Sequence, residues 1–513
     1  MDELIIVNNS PNSDKFKCRL TTPSGVVHCD RDQGSPITLH GYLPHFAQYI
    51  HESGLFESLI NECPIKYKSN NAPAVKDVLG TIILSILSGH TRYCHASSLY
   101  GDATAAELLG LNKIVSHDSL TRGLDKVEAK EVDKWLHSSY RKMYEPLLTT
   151  PYILDLDPTV KVLYGHQEGA KVGYNPSKQG RRSHCYHTFF IASLRLVLDV
   201  EIHPGNETAG LYSHQRLWSL LDDMPLQCRP SLIRGDIAFG TDGTMVGCEE
   251  RNLNFLFKLR QSKKIKQLLL SLETPENDWR DAGDGWSGIE SEIKLSGWNE
   301  KRRVVVLRRQ HTRKNQKIEL PEETTQLELP LVFVDDGNYP EYEYQVLVTN
   351  TSYSIMTLAQ LYRDRGDCEN NFDELKNQWG WGGFNAQKLK RTQAMASLVA
   401  LVYNWWNIFC RLAESDRHME AKTSRPLFQN IIGRMTKTGG SRTIYLSAMG
   451  AEAEKTLLKF NKISEFISGL GSTATQLTKE SKWVLILREA FKKFYQSDEI
   501  KMASSGNQLL LAL

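Results

Sequence analysis

Apolar residues recur at helical spacing from residue 43 to about 148, and the texture changes to strand alternation at residue 151. AVKDVLGTIILSILSGH reads as an apolar-periodic helix, and TAAELLGL as a short one ending at glycine. SHDSLTRGLDKV is a third, with Ser116 and Asp118 as N-caps, and AKEVDKWLHSSYRKMYEPLL is a long fourth. Upstream, residues 1 to about 40 alternate weakly among Pro, Gly and Asp turns, which predicts an irregular arm with one hairpin.

From residue 151 the pattern predicts an α/β layer. YILDLD is a short strand, with Ile153, Asp155 and Asp157 on one side. HTFFIAS and LVLDVEIH form a hairpin, SHQRLWSLLDDM is a helix, and SLIRGD is a strand that ends on Asp236. A helix (TMVGCEERN) and the strand NFLFKLR follow. That order predicts a mixed sheet. Between 262 and 345 the rhythm becomes β-rich, in IESEIKLSGW, RRVVVLRRQ, LELPLVFV and EYQVLVTN. The chain then turns helical: MTLAQLYRDRGDCENNFDELKNQ is one helix, the segment from Ala386 to Glu414 another, and the remainder to 513 is helical with a polar tail. The divisions expected are an arm (1–42), a helical domain (43–149), an α/β core in two parts (150–261 and 351–415), a β-rich insertion domain (262–350), and a helical C-terminal region (416–513).

Composition narrows the class. The 513 residues are 41% hydrophobic and 24% charged, ordinary for a globular protein of several domains. No apolar run of about 18 residues marks a membrane span. The acidic start MDELIIVNNSPNSDK does not resemble a secretory signal. Nine cysteines lie scattered without a CxxC pair, which points to reduced thiols in a cytosolic compartment. The net charge is only +2, so a nucleic-acid partner would be met by local basic patches. Three stand out, at 171–182, 301–317 and 388–391; each taken singly also fits a solvated surface. Arg122, beside Ser119 and Thr121 on a capped helix, fits a helix-turn-helix reader and a plain bundle equally.

The chemistry gathers at residues 362–376, YRDRGDCENNFDELK. On one helix Tyr362, Arg365, Glu369 and Lys376 share a narrow stripe, at about 100° per residue. Such a stripe is either a solvated face with i,i+4 ion pairs or a carboxylate set among phosphate-binding cations. Cutting a phosphodiester with divalent metals needs acidic ligands that bring two ions to about 3.5–4 Å. Asp157 and Asp236 at strand ends, with Glu369 on a helix, offer three, although Asp155 shares the face of Asp157 and Asp373 lies near the stripe.

The pattern Y-x2-R-x3-E-x6-K, with Asp157-Pro158-Thr159 in a strand and Asp236 closing a later one, resembles the YREK signature of bacterial insertion-sequence transposases with a DDE catalytic core. The β-rich stretch before the glutamate and the segment YGHQEGAKVGYNPSKQGRRSHCYH fit the same class, over roughly residues 150–410. The resemblance implies an RNase H-like fold, Mg²⁺ dependence with Mn²⁺ able to substitute, and cut-and-paste movement of DNA bounded by terminal inverted repeats. Some relatives pass through a hairpin intermediate. It also implies a homodimer holding two double-stranded DNA ends in the bacterial cytoplasm, associated with the nucleoid. Asp157, Asp236 and Glu369 would hold the metals. Tyr362, Arg365 and Lys376 would contact the DNA end, and Lys178, Arg181 and Arg182 the flanking duplex. Tyr344 and Trp298 are the aromatics offered for stacking a flipped base, with Tyr342 a further choice; packing roles also fit them. The alternative function is a catalytically inactive, domesticated DNA-binding protein that retains the fold. A third is another RNase H-like nuclease such as a resolvase.

Overall fold

The computed structural model describes residues 17–30, 35–148, 151–176, 178–310, 342–472 and 477–493. The arm supplies the expected hairpin, β1 (Lys17–Thr22) and β2 (Gly25–Asp30), and a short β3 (Ile37–Thr38). Six helices follow: α1 (Leu43–Glu52), α2 (Leu55–Asn61), α3 (Val75–Leu87), α4 (Ala103–Leu108), α5 (His117–Asp125) and α6 (Ala129–Tyr144). The cap expected at Ser116 is present, its hydroxyl accepting from Ser119 N at 3.2 Å.

The α/β layer begins with β4 (Ile153–Val162), a two-residue β5 (Lys171–Val172), β6 (Arg182–Ile191) and β7 (Leu196–Pro204). It continues through α7 (Ala209–Tyr212), α8 (His214–Asp222), β8 (Leu232–Gly235), α9 (Asp242–Glu249) and β9 (Phe255–Lys258). The strand YILDLD is therefore longer than its pattern suggested, and Asp157 lies in its middle rather than at its end. Residues 158–162 stay extended because they pair antiparallel with β6, a partner that local alternation does not reveal.

The expected β-rich stretch contains α10 (Lys263–Leu272), then β10 (Arg280–Gly283), β11 (Trp286–Ile293), β12 (Arg302–Gln310) and β13 (Tyr342–Thr349). The segment LELPLVFV lies outside the described residues. These strands continue the core sheet: β13 pairs with β9, giving the path β10-β11-β12-β13-β9-β8-β4-β6-β5, with β7 also on β6. β4, β8 and β9 are parallel, while β4, β6 and β7 form an antiparallel meander.

The single helix expected over 356–378 is two, α11 (Ile355–Arg363) and α12 (Gly366–Asn377), broken at Asp364 and Arg365. α13 (Leu389–Ala413) is buried along most of its 25 residues. It sits beside the edge strand β7 and satisfies that strand's backbone with amide side chains. Asn404 Oδ1 accepts from Val197 N at 2.9 Å and its Nδ2 donates to Val197 O at 2.7 Å. Gln393 does the same between Ile202 N and Val200 O. An edge held this way is closed to further pairing. After α14 (Ala421–Phe428) the expected all-helical C-terminal region instead contains the hairpin β14 (Gly433–Thr438) and β15 (Ser441–Leu446), which joins β3 in a small sheet. Its turn is Gly439-Gly440, both at positive φ (56° and 82°), as a tight hairpin turn requires. α15 (Ala451–Ser472) and α16 (Lys479–Ala490) are the last elements among the described residues.

One buried ion pair locks the sheet under α11. Arg234 on β8 stands opposite Asp155 on β4 in the parallel register. Its Nε and Nη2 donate to the two Asp155 oxygens at 2.5 and 2.9 Å, and its Nη1 donates to Leu361 O at the end of α11. Both side chains are almost wholly buried, 1% and 2% exposed. Apolar residues of α11 (Ile355, Leu358, Leu361) pack around them on Ile153, Leu232 and Leu256. Removing one partner of such a pair leaves an uncompensated buried charge, which costs about 3–5 kcal/mol. Arg234→Met should lower unfolding stability by about that amount in urea titrations. A loss under about 1 kcal/mol would show that the pair does not hold the sheet.

Candidate active site

The register that pairs Asp155 with Arg234 and Leu156 with Gly235 runs out one residue later, at Asp157 and Asp236. Two adjacent parallel strands thus bring these carboxylates side by side, Asp157 within β4 and Asp236 in the first residue beyond β8. Asp236 opens a turn, its Oδ1 accepting from Ala238 N at 2.9 Å. Asp155 points to the same sheet face but is held by Arg234, which separates its role from that of Asp157.

The break between α11 and α12 places the signature residues differently from a continuous stripe. Tyr362 lies in the last turn of α11, half-buried. Arg365 sits at the start of α12 and turns inward, 8% exposed, where it donates to Asp157 Oδ1 and lies 3.5 Å from Glu369 Oε1. Glu369 is largely exposed, and Lys376, two turns along the same helix, is half-buried.

Charge interactions link several of these groups. Burial raises the Asp157 carboxyl to about 7, opposed by Arg365 and reinforced by Asp236, Glu369 and Asp155. Burial also raises Asp236; Arg365, the Ala238 N–H and Lys258 draw it down, and Glu369 pushes it up. Burial lowers Lys376 below an ordinary lysine, against the pull of Asp157, Asp373 and Cys185. Tyr362 is pushed up to about 12 by burial, tempered by Arg365, with Asp236 and Asp157 adding to the rise.

The three carboxylates have the donor chemistry of a hard divalent-cation site, although Asp157, Asp236 and Glu369 do not close to within 4.8 Å of one another as a ligand set. Its donors are carboxylate oxygens, the ligands Mg²⁺ prefers, and two of them hold raised values that a bound cation would relieve. Neighbouring acids are otherwise engaged. Glu374 is buried and accepts from Trp379 Nε1, Ala421 N and His418 Nε2 at 2.7–3.0 Å. Asp373 accepts from Asn377 at 2.7 Å. Trp379 and Trp381 are core residues, 1% and 2% exposed.

The remaining candidates scatter. Lys178 is exposed and donates to the Tyr164 hydroxyl, with Arg181 also over that ring at 5.8 Å. Arg182 Nη1 meets His166 Nδ1 at 2.6 Å. With exposed Tyr164 and Tyr174 they form a basic, aromatic surface. Arg122 is exposed on α5, its Nε donating to Asp118 O at 3.1 Å. Two of the aromatics offered for base stacking lie in packed surroundings. Tyr344 is buried and donates to Glu273 at 2.6 Å, and Trp298 is buried beneath Arg302. Sequence reasoning missed Arg234 and Lys258; the signal was a basic residue within SLIRGD and another closing NFLFK.

A mixed α/β sheet sets Asp157 and Asp236 side by side beneath the helix pair that carries Tyr362, Arg365, Glu369 and Lys376. The family described as transposase DDE domain group 1 matches residues 33–466, and the chain belongs to it. No curated protein matches the chain. Among solved structures, a piggyBac transposase synaptic complex with hairpin DNA is similar at 10% identity, covering 93% of this chain and 87% of that one, with a TM-score of 0.36. That likeness is too slight to carry an argument. No helix among the described residues is long and apolar enough to cross a membrane.

The raised Asp157 value has a consequence for stability. Folded Asp157 holds its proton more tightly than the unfolded carboxyl, about 7 against 3.8. In a chelator, the contribution of Asp157 to stability is then greatest below the unfolded value and is lost as pH rises through about 7. Asp157→Asn should flatten that fall in thermal melts, and Mg²⁺ should restore wild-type stability above it. Parallel profiles for wild type and variant would contradict the raised value.

Proposed function

We propose that this chain is a DNA transposase of the bacterial insertion-sequence, YREK-signature class, with an RNase H-like core that cleaves and joins DNA at terminal inverted repeats. The observation that carries the reading is the placement of Asp157 and Asp236 side by side on parallel strands, with Glu369 on the helix above and Arg365 between. The strand order, an antiparallel meander followed by two parallel strands with helical crossovers, supports the RNase H-like description.

Asp157, Asp236 and Glu369 would hold Mg²⁺, or Mn²⁺ in its place. When bound, the metals supply an activated attacking oxygen and a stabilised leaving oxygen. The rest falls to the chain's own groups. Arg365 neutralises Asp157 and reaches Glu369, and its planar fork would also suit a phosphate held at the site. Lys376 adds a second cation beside Asp157, and Tyr362 offers a phenol at the mouth for the strand backbone. Lys178, Arg181 and Arg182 with Tyr164 would track the flanking duplex by charge and stacking. Holding two ends calls for a homodimer, and a hairpin intermediate fits the class.

The test is strand cleavage of double-stranded DNA carrying the element's ends, with Mg²⁺. Glu369→Gln should lower the rate by more than about 100-fold, since loss of a metal ligand exceeds the usual outer-shell effect. Because Glu369 is exposed, the variant should keep its melting temperature. Wild-type protein that cuts no candidate end would overturn the reading, as would full cleavage by the variant. Separately, Arg181→Ala and Arg182→Ala should each weaken DNA binding whatever its sequence and lower the salt slope by about 1. Unchanged slopes in both variants would remove this surface from the DNA path.

A further inference from the structure

Behind the catalytic strand lies a second cluster of ligating side chains. β6 pairs with β4 so that Thr188 stands opposite Asp157 and His187 opposite Pro158. Alternation therefore puts His187 on the sheet face away from the acidic site. Across β6 and β7, His187 stands opposite Glu201, and His203 lies two residues further along β7. The two imidazole rings stack at 4.3 Å and 17°. One ligand atom from each of His187, Glu201 and His203 lies within 4.8 Å of the others.

Three features go beyond ordinary packing. His187 is fully buried; the Glu207 backbone comes near one of its ring nitrogens, but among the described residues neither nitrogen makes a well-aligned hydrogen bond. A buried polar group left unpaired costs free energy, so such a ring calls for a partner. His203 Nδ1 is 2.7 Å from Glu207 Oε2, which fixes that ring and leaves Nε2 for the cluster. Its Nε2 is 2.9 Å from Glu201 Oε2 but without the alignment of a hydrogen bond. A carboxylate behind a histidine, orienting its other nitrogen, is the usual support of a metal-ligating imidazole.

We propose that His187, Glu201 and His203 form a second metal site, for a transition dication of the Zn²⁺ class, with Glu207 as the outer carboxylate. Two nitrogens and one oxygen suit Zn²⁺ or Co²⁺, whereas the all-oxygen trio of the acidic site suits Mg²⁺. The two sites therefore differ in metal as well as in sheet face. The ion would tie β7 and the turn bearing Glu207 to β6, directly behind the strand that presents Asp157, which makes the role structural. Half-buried Glu201 and His203 leave solvent access for a fourth ligand. The competing account is an imidazolium at His203 clamped by Glu201 and Glu207, with His187 as filler.

The experiment uses the full chain, free of affinity tags and stripped with chelator, titrated with Zn²⁺ against a chromophoric competitor and with Co²⁺ by visible absorption. The expected result is one equivalent of Zn²⁺ and the visible bands of a low-coordinate Co²⁺ centre, undisturbed by excess Mg²⁺. His187→Ala and Glu201→Gln should each weaken Zn²⁺ binding at least about tenfold, whereas Glu369→Gln should leave it unchanged. Zn²⁺ should raise the melting temperature of wild type and not of His187→Ala. Glu201 is half-buried and its replacement isosteric, so Glu201→Gln keeps the test open if His187→Ala fails to fold. Wild type that retains no Zn²⁺, or an affinity that Glu201→Gln leaves unaltered, would overturn the proposal and favour the imidazolium clamp.

Discussion

The contact between Arg234 and Asp155 decides where everything else in the site can be. It joins the two parallel strands that carry the acidic residues, and the same guanidinium holds the last turn of α11 through Leu361 O. A one-residue slip between β4 and β8 would turn each side chain to the other face and leave a buried charge unmatched. Burying a charge pair is seldom the most stable choice, but it tolerates only one register. That register puts Asp157 next to Asp236, and the bond to Leu361 sets Tyr362 and the helix break above them.

The break itself follows from charge and solvation. A continuous helix over 356–378 would keep Arg365 on its surface. Ending α11 at Arg363 and restarting at Gly366 lets Arg365 descend onto Asp157, where a buried carboxylate would otherwise stand near other acids with little compensation. The fold has thus gathered like charges and supplied part of the balance with Arg365, Lys376 and Lys258. The values of Asp157 and Asp236 stay raised even so, a state that favours a proton or a cation.

Much of this was legible in local pattern. The strands SLIRGD and NFLFK, the hairpin of β6 and β7, the helical 43–148 region and the Tyr-Arg-Glu-Lys spacing all follow from periodicity and turn chemistry. What escaped depends on partners far away in sequence. Residues 158–162 are strand because of β6, and β10 to β13 extend the core sheet because β13 finds β9. No local signal distinguishes a sheet extension from a separate β domain. The hairpin of β14 and β15 is different, since its alternation and Gly439-Gly440 turn were visible; the surrounding helical texture masked them. Asp155 and Asp157 could not be separated by pattern, because two residues apart on a strand share a face; only Arg234 tells them apart.

The same logic explains why Glu369, rather than another acid of α12, faces the site. Glu374 lies five residues further on, about 140° around the helix. There it is buried and accepts from Trp379, Ala421 N and His418. That network anchors the inner side of α12 to the segment preceding α14. With Glu374 fixed inward, Glu369 and Lys376 must share a different side, along which Arg365 and Asp157 lie. The anchoring carboxylate holds the helix while the exposed one meets Arg365 at 3.5 Å. A loosely held carboxylate beside Arg365 and a structural acid that is fully bonded are therefore two consequences of one helix orientation.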